Sequence, residues 1–295
     1  MNAQTKDKVA TVILYIIAGM ICILLACLVG YVLINGLGHV SWHFLSTNPE
    51  SIKAGGGILP ELWNSFYLLI LTLLMSTPIS LGAAIYLSEY APKNKLTEFV
   101  RTSIDVLSSL PSIVVGLFGM MLFVIAFKFK YSILSGALTL SIFNLPILVR
   151  VMEQSLRHIS HDQRQAGLGL GLTKWETTLY IIVPAALPGI ITGIILSAGR
   201  IFGEAAALLF TAGQSAPALD FTNWNPMSPR SPLNIFRQAE TLAVHIWKVN
   251  SEAIVPDAQA VSNGTAAVLI IFILLFNFGA RQLGLWLYKK MTSAK

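Results

Sequence analysis

The amino-acid sequence predicts an all-α integral membrane protein with six transmembrane helices and both termini in the cytoplasm. Three observations predict this fold class: the scarcity of charge, the long uncharged apolar intervals, and the distribution of Lys and Arg between those intervals. Of the 295 residues, 55% are hydrophobic and 12% are charged, whereas about 25% of the residues in a soluble domain are charged. So few charges cannot form the polar surface of a soluble protein of this length, and lipid is the predicted solvent.

The uncharged intervals locate the spans, because a transmembrane helix needs about 20 mostly apolar residues. Six intervals meet this need, at residues 9–34, 65–90, 109–127, 132–149, 185–212 and 266–288. The first follows Lys6 and Lys8 and is longer than the apolar region of a signal peptide, which has about 7–15 residues. We therefore expect a retained N-terminal anchor. The fifth interval differs from the others because it contains Arg200 and Glu204.

The basic residues set the orientation, since cytoplasmic segments of membrane proteins hold an excess of Lys and Arg. With the N-terminus inside, the inner segments carry twelve of these residues and the outer segments carry six. We expect residues 1–295 to form a single transmembrane domain, with an anchor helix and outer loop at 1–61, a core at about 62–288 and an inner loop at 151–184. The basic residues are scattered between apolar runs, which excludes nucleic acid as a partner.

Metal, nucleotide and catalytic sites are not expected in this chain. Cys22 and Cys27 both lie in the first span, and their spacing matches no thiolate site. His158 and His161 lack further ligands nearby, so a solvated loop is favoured there. The glycines at 167–171 are not followed by Gly-Lys-Ser/Thr, which excludes a phosphate-binding loop. No nucleophile, base and orienting group occur at the spacing of an enzyme motif.

Two connecting segments are longer than a minimal connection needs. The outer segment 213–263 is rich in Pro and Asn and has an amphipathic stretch at 235–247. It is either an ordinary exposed loop or a surface for an extracytoplasmic partner.

In the inner segment, small residues alternate with leucines over 166–172. We expect a short helix that breaks at Gly169 or Gly171 and forms a compact knob, followed by a membrane helix that begins at Pro184.

The inner segment resembles the cytoplasmic signature of bacterial ABC-importer permeases, Glu-Ala-Ala, three residues, Gly, nine residues, Ile-x-Leu-Pro. The matching positions are Gln165-Ala166-Gly167, Gly171, and Ile181, Val183 and Pro184. The departures are Gln165 for Glu, Gly167 for Ala and Val183 for Leu. The resemblance implies a coupling helix that docks on a separate ATPase subunit. The residues it assigns to this docking are Gln165, Ala166, Gly167, Gly171, Leu172 and Trp175.

A narrower resemblance covers the chain from about Gly55 to the C-terminus. Residues 82–91, 110–117, 145–150 and 199–204 are similar to phosphate-specific permeases of the PstA type. Where that family commonly has Glu-Thr-Ala-Pro, this sequence has Glu204 followed by three alanines. The resemblance implies a type I ABC importer fold in a bacterial cell membrane, with half of a translocation pathway for inorganic phosphate. It also implies a homologous second permease, an extracytoplasmic phosphate-binding protein and a cytoplasmic ATPase dimer that binds ATP and Mg.

Arg200, Glu204 and Arg150 are the candidate residues of the substrate pathway. At a spacing of four residues, Arg200 and Glu204 are expected on one helix face. A lone charge at the bilayer centre costs about 2.5–3.5 kcal/mol on insertion scales. The two residues therefore either form an ion pair that joins helices, or Arg200 lines the substrate pathway. In the second case Glu204 holds Arg200 in place and weakens its binding of the substrate. Arginine suits an oxyanion because its planar fork donates two hydrogen bonds at once.

Arg150 ends the fourth interval and is either an interfacial side chain or part of an inner gate. Three other functions stay open at this point. A permease for sulfate or molybdate would use the same chemistry, because guanidinium and carboxylate do not encode which anion passes. A stand-alone ion-coupled carrier leaves the spacing of the inner signature unexplained, and a membrane enzyme lacks a catalytic motif.

Overall fold

The computed structural model describes residues 3–50, 53–215, 217–252 and 256–292, and within these ranges all regular structure is helical. This confirms the all-α fold class. The helices in chain order are α1 (Ala3–Leu37), α2 (Trp42–Ser46), α3 (Leu59–Ile85), α4 (Lys95–Ser108), α5 (Ser112–Gly119), α6 (Ile133–Arg157), α7 (His161–Gly169), α8 (Lys174–Thr177), α9 (Val183–Gly203), α10 (Ala206–Leu209), α11 (Leu242–Glu252) and α12 (Ala258–Thr292). Short π-helical segments extend α3, α5 and α8 at Tyr86–Tyr90, Met120–Ala126 and Thr178–Ile182.

Five continuous helical stretches in the described ranges are long and apolar enough to cross a membrane: Asp7–Leu37, Leu59–Tyr90, Ile133–Arg157, Lys174–Gly203 and Ala258–Lys290. A sixth crossing is formed if the pair Lys95–Ser108 and Ser112–Ala126, which bends by 98°, counts as one span. The bend falls at Pro111, whose backbone is extended (φ −61°, ψ 136°). Proline lacks the N–H that a continuing helix needs and restricts the preceding residue, so the chain changes direction there.

Several helices extend beyond the predicted intervals, and the second and sixth spans begin earlier, at Leu59 and Ala258. The fourth span, α6, does not end at Arg150 but continues to Arg157. Glu153 in this extension is neutralised by Arg101 and Arg157 at 2.9 and 3.1 Å. The fifth span is Lys174–Gly203 rather than 185–212. The helix of this span therefore begins before Pro184. A charge-free interval marks only the apolar part of a helix, whereas the backbone hydrogen bonds of the helix extend further.

The centre of the bundle is α6, which packs against α3, α4, α5 and α9. Fifteen of its residues are buried, including the small residues Gly136 and Ala137. Hydrogen bonds join it to α3 and α9: Ser141 Oγ donates to the carbonyl of Thr72 at 3.3 Å, and Ser197 Oγ donates to Asn144 Oδ1 at 3.1 Å. Small residues and interhelical hydrogen bonds hold helices together in lipid, where apolar burial alone does not drive association.

The segment 213–263 is held against the bundle rather than free of it. The amphipathic stretch predicted at 235–247 is helical only from Leu242 onward. Before that point the backbone pairs with the start of α6, where Ile133 N donates to the carbonyl of Arg237 at 3.0 Å. From α3, Trp63 Nε1 and Tyr67 Oη donate to the carbonyls of Pro232 and Leu233 at 3.1 and 2.8 Å. The described residues 231–242 of this loop are therefore packed on the bundle.

Close packing of α5 on α10 gives a first testable prediction. A Cβ atom at Gly116 would lie 2.7 Å from the Cα of Ala207, whereas a Cβ at Gly82 would meet nothing within 4 Å. Backbone cannot move aside as a flexible side chain does, so we expect Gly116→Ala to destabilise the protein by about 1–3 kcal/mol. The matched control Gly82→Ala should be neutral or slightly stabilising, since alanine favours the helix. Thermal unfolding of the purified variants in detergent measures the difference, and equal midpoints would contradict the prediction.

Candidate functional site

The inner segment folds as a short helix, a glycine turn and a second helix. Ser160 caps α7, and its Oγ accepts a hydrogen bond from Gln163 N at 3.4 Å. The turn contains Gly171 at φ +83°, a left-handed conformation that glycine adopts without steric cost. Thr173 and Glu176 then form a reciprocal capping box that starts α8. These features confirm the predicted short helix and place the break at Gly171.

The residues assigned to ATPase docking lie together on this segment, and most of them are exposed. Gln165, Ala166, Gly171 and Trp175 are exposed, and Leu172 is partly buried. Leu168 and Leu170, which were not assigned, are also exposed, Leu170 by 81%. An exposed apolar patch on an ordered segment is typical of an interaction site.

Gly167 differs from its neighbours because it faces the protein. A Cβ at this position would lie 2.7 Å from Thr177 Cγ2 and 2.8 Å from Ile181 Cδ1. The small residue lets α7 pack directly against the beginning of the next span. Gly167 therefore positions the exposed side chains of the segment without being part of their surface.

Arg164 anchors the segment to the membrane helices, a role that was not predicted from the sequence. Its Nη2 and Nε atoms donate to the two carboxylate oxygens of Glu89 at 2.9 and 3.2 Å. The guanidinium also donates to the backbone carbonyls of Leu156, at 2.8 Å, and Ile159. The Glu89 side chain is only 7% exposed, so this bidentate pair is shielded from water and geometrically specific. A lone acidic residue at the end of the second apolar interval was the signal that could have indicated it.

Arg200 lies in the last turn of α9 and is partly exposed. Its guanidinium carbon is 3.7 Å from the centre of the Phe143 ring on α6. No described residue accepts a hydrogen bond from the guanidinium. The stacking covers one face of the cation and leaves its in-plane N–H donors available for an anion.

Glu204 does not lie on the same helix face as Arg200, which corrects the sequence-based expectation. The helix ends at Gly203, and Glu204 has an extended backbone with φ −79° and ψ 116°. Its Oε1 accepts a hydrogen bond from Ala207 N at 3.2 Å, which caps α10. Glu204 is 8% exposed and forms no ion pair with Arg200 among the described residues. The capping interaction, which sequence spacing does not reveal, takes the place of the expected pair.

Arg150 belongs to a different group of side chains. Its Nη1 lies 2.8 Å from Asp105 Oδ1 on α4, and both side chains are 52% exposed. A small cavity joins this pair to Arg101, Glu153 and Arg157. The structure thus brings the predicted docking residues together. Arg150 and Arg200 have different neighbours, and Arg150 lies beside Arg101 and Asp105.

The fold and these sites define a class of protein. In the described part of the chain, a bundle of membrane-crossing helices carries Arg200, whose donors no described residue accepts, and an exposed apolar patch on a connecting segment. This arrangement suits a transport permease. The chain belongs to the family described as the binding-protein-dependent transport system inner membrane component, whose model matches residues 76–293. It is accordingly a permease subunit of an ABC importer, a multi-pass protein of the cell membrane.

Curated relatives agree with this assignment. The chain is 51% identical over 293 residues to "Probable ABC transporter permease protein YqgI" of Bacillus subtilis, which covers 99% of the chain and 100% of that protein. It is 35% identical to "Phosphate transport system permease protein PstA" of Xylella fastidiosa, over 81% of the chain and 78% of that protein. The PstA protein of Yersinia pestis is also 35% identical, over 81% of the chain and 76% of that protein.

Solved structures of the MetNI methionine ABC transporter in inward-facing conformations have a similar fold. Two crystal forms align with TM-scores of 0.59 and 0.60 at 15% sequence identity. They cover 76% and 78% of this chain and 93% and 95% of the matched chains. At this identity the likeness concerns the fold alone, and it supports the type I importer architecture.

The anchor formed by Glu89 and Arg164 gives a second prediction. Replacing Glu89 by Gln removes a charge-assisted pair, an interaction worth about 1.5–3 kcal/mol, so α7 should detach from α3 more often. We expect amide hydrogen exchange in residues 161–172 to quicken about tenfold or more, measured by mass spectrometry. The control is Glu98→Gln, because Glu98 is exposed on α4 and forms no ion pair among the described residues. Unchanged exchange in Glu89→Gln would show that the pair does not hold the segment.

Proposed function

We propose that the chain is the transmembrane permease subunit of an ATP-driven inorganic phosphate importer and forms half of the translocation pathway. The free donors of Arg200 are the observation that carries this proposal. The identity of about 35% to PstA proteins over 81% of the chain supports phosphate as the substrate. In this proposal the chain moves phosphate unchanged, while a separate ATPase supplies the energy.

Arg200 has the chemistry and the placement to contact an oxyanion in passage. Because Phe143 covers one face of the guanidinium, the cation keeps its orientation while its edge remains open. A planar edge with two parallel N–H donors matches two oxygens of a phosphate. The nearby Phe143 ring replaces part of the hydration that a cation loses inside a membrane protein.

Release of the anion requires that this contact be weak. Glu204 follows Arg200 by four residues and forms no ion pair with it among the described residues. The carboxylate of Glu204 repels the approaching phosphate and reduces the net attraction of phosphate to Arg200. We propose that Glu204 thereby limits the residence of the anion, while its hydrogen bond to Ala207 N fixes its own position.

The proposed complex contains three kinds of partner. A homologous second permease completes the pathway, an extracytoplasmic phosphate-binding protein delivers the anion, and a cytoplasmic ATPase dimer binds ATP and Mg. The exposed surface of Gln165, Ala166, Leu168, Leu170 and Trp175 is proposed to dock on the ATPase. Positive charge is in excess on the segments predicted to be inside, which puts this surface in the cytoplasm.

The role of Arg200 is tested by substitution. We expect Arg200→Gln to reduce uptake of radiolabelled phosphate at least tenfold, because the guanidinium fork is lost. Arg200→Lys should keep part of the uptake, since a point charge remains. Both variants should co-purify with the partner subunits, so that lost assembly does not explain lost transport. The control Arg281→Gln removes an arginine from another span and should transport normally; unchanged uptake in Arg200→Gln would disprove the role.

Substrate identity is tested in proteoliposomes that contain the whole complex and its binding protein. We expect phosphate to stimulate ATP hydrolysis and vectorial uptake, and sulfate and molybdate to leave both at their basal rates. Stimulation by sulfate or molybdate alone would assign the complex to another oxyanion. Transport by the isolated chain, driven by an ion gradient without ATP, would assign it to the ion-coupled carriers.

A further inference from the structure

Three buried side chains meet where α3 begins and α11 approaches it. Glu61 in the first turn of α3 is 0% exposed, and Glu240 and His245 are 2% and 5% exposed. One potential metal-ligand atom from each of the three lies within 4.8 Å of the other two. Two carboxylates and an imidazole at this range form a cluster that the transport proposal does not use.

Glu240 is fully engaged by its neighbours. Its Oε1 lies 2.7 Å from His245 Nδ1, and its Oε2 accepts a hydrogen bond from Lys248 Nζ at 3.0 Å. Its backbone carbonyl accepts a hydrogen bond from Asn64 Nδ2 at 2.9 Å. Lys248 therefore neutralises Glu240, and Glu240 fixes the orientation of the imidazole ring.

Glu61 and His245 are left with unused ligand atoms. Neither carboxylate oxygen of Glu61 has a hydrogen-bond partner, and His245 Nε2 has none either. Glu61 takes part in no ion pair among the described residues, although it is completely buried. A buried carboxylate without a partner is strongly unfavourable, so this arrangement points to a positive ligand that is bound between the two groups.

The surroundings favour a positive charge at this point. Two carboxylates and one ammonium leave a net charge of about −1 when the imidazole is neutral. A cation bound between Glu61 and His245 compensates this charge.

We propose that Glu61 and His245, with Glu240 beside them, bind a divalent transition-metal ion of the Zn²⁺ type. Imidazole nitrogen combined with carboxylate oxygen is a ligand set that Zn²⁺ accepts, whereas Ca²⁺ and Mg²⁺ prefer oxygen alone. A histidine that binds metal through one nitrogen usually donates its other N–H to a carboxylate. His245 Nδ1 and Glu240 are already arranged in this way, which leaves Nε2 and Glu61 for the metal.

The site would join two parts of the chain that are far apart in sequence. Glu61 belongs to the span Leu59–Tyr90, and His245 belongs to α11 in the long segment 213–263. Hydrogen bonds already connect these parts, since Leu242 N donates to Ser65 Oγ at 2.9 Å. A bound metal ion would cross-link α3 to α11 and stabilise their packing.

The experiment is a metal-binding measurement on the full chain, purified in detergent with any histidine tag removed and stripped of metal with a chelator. Titration with Zn²⁺ against a chromophoric competitor should show one tight site per chain and a raised unfolding midpoint. We expect Glu61→Gln and His245→Gln to weaken Zn²⁺ binding at least tenfold. Glu61→Gln preserves the size and shape of the side chain. It therefore tests the site even if His245→Gln does not fold.

Control variants separate this site from other histidines on the same side. His39 and His43 lie near α2 and line a different cavity with Asp257, and their double substitution by Gln should leave the tight site intact. Glu252→Gln, an exposed acid on α11, should also bind Zn²⁺ as the unchanged chain does. Absence of a tight site, or loss of binding only in the His39 and His43 variant, would overturn the proposal. The readout is independent of phosphate, so it stands or falls separately from the transport function.

Discussion

The structure depends on one constraint: hydrocarbon offers no hydrogen bonds, so polar groups within a span must find partners inside the protein. Hydroxyl groups in the spans meet it locally, as when Ser65, Ser76 and Thr139 each donate to the carbonyl four residues earlier. Asn144 meets it both within α6, where it donates to the carbonyl of Leu140, and across helices, where it accepts from the hydroxyl of Ser197 on α9. These contacts explain why α6 lies at the centre although many of its buried residues are polar.

Charged side chains that lack such a partner therefore indicate where a ligand binds. Glu153 is neutralised by two arginines and Glu89 by one, so both stabilise the fold. Arg200 and Glu61 are different, because neither has a hydrogen-bond partner for its charged group. Arg200 is partly exposed and positive, and Glu61 is completely buried and negative. Arg200 is suited to contact an anion during transport, and Glu61 is suited to bind a cation permanently.

Local patterns in the sequence predicted the features that local chemistry determines. Charge-free intervals gave the spans, and the glycines gave the turn at Gly171, because lipid length and a positive φ are requirements of a single segment. The bend at Pro111 and the helix end at Gly203 were missed, since apolar residues continue beyond both points. The Glu61 cluster could not be predicted from spacing, because nearly 180 residues separate Glu61 from Glu240 and only the packing of α3 on α11 unites them.

The second span connects the two ends of the molecule. Glu89 holds Arg164 of the inner segment near one end of Leu59–Tyr90. Trp63, Ser65 and Tyr67 bind the segment 213–263 near the other end. At 1.5 Å per residue these anchor points are about 40 Å apart along one continuous helix. Pro78 inside the helix removes one backbone hydrogen bond and is its weakest point. The contacts of the inner segment and those of the opposite loop are therefore made by one helical span rather than by separate elements.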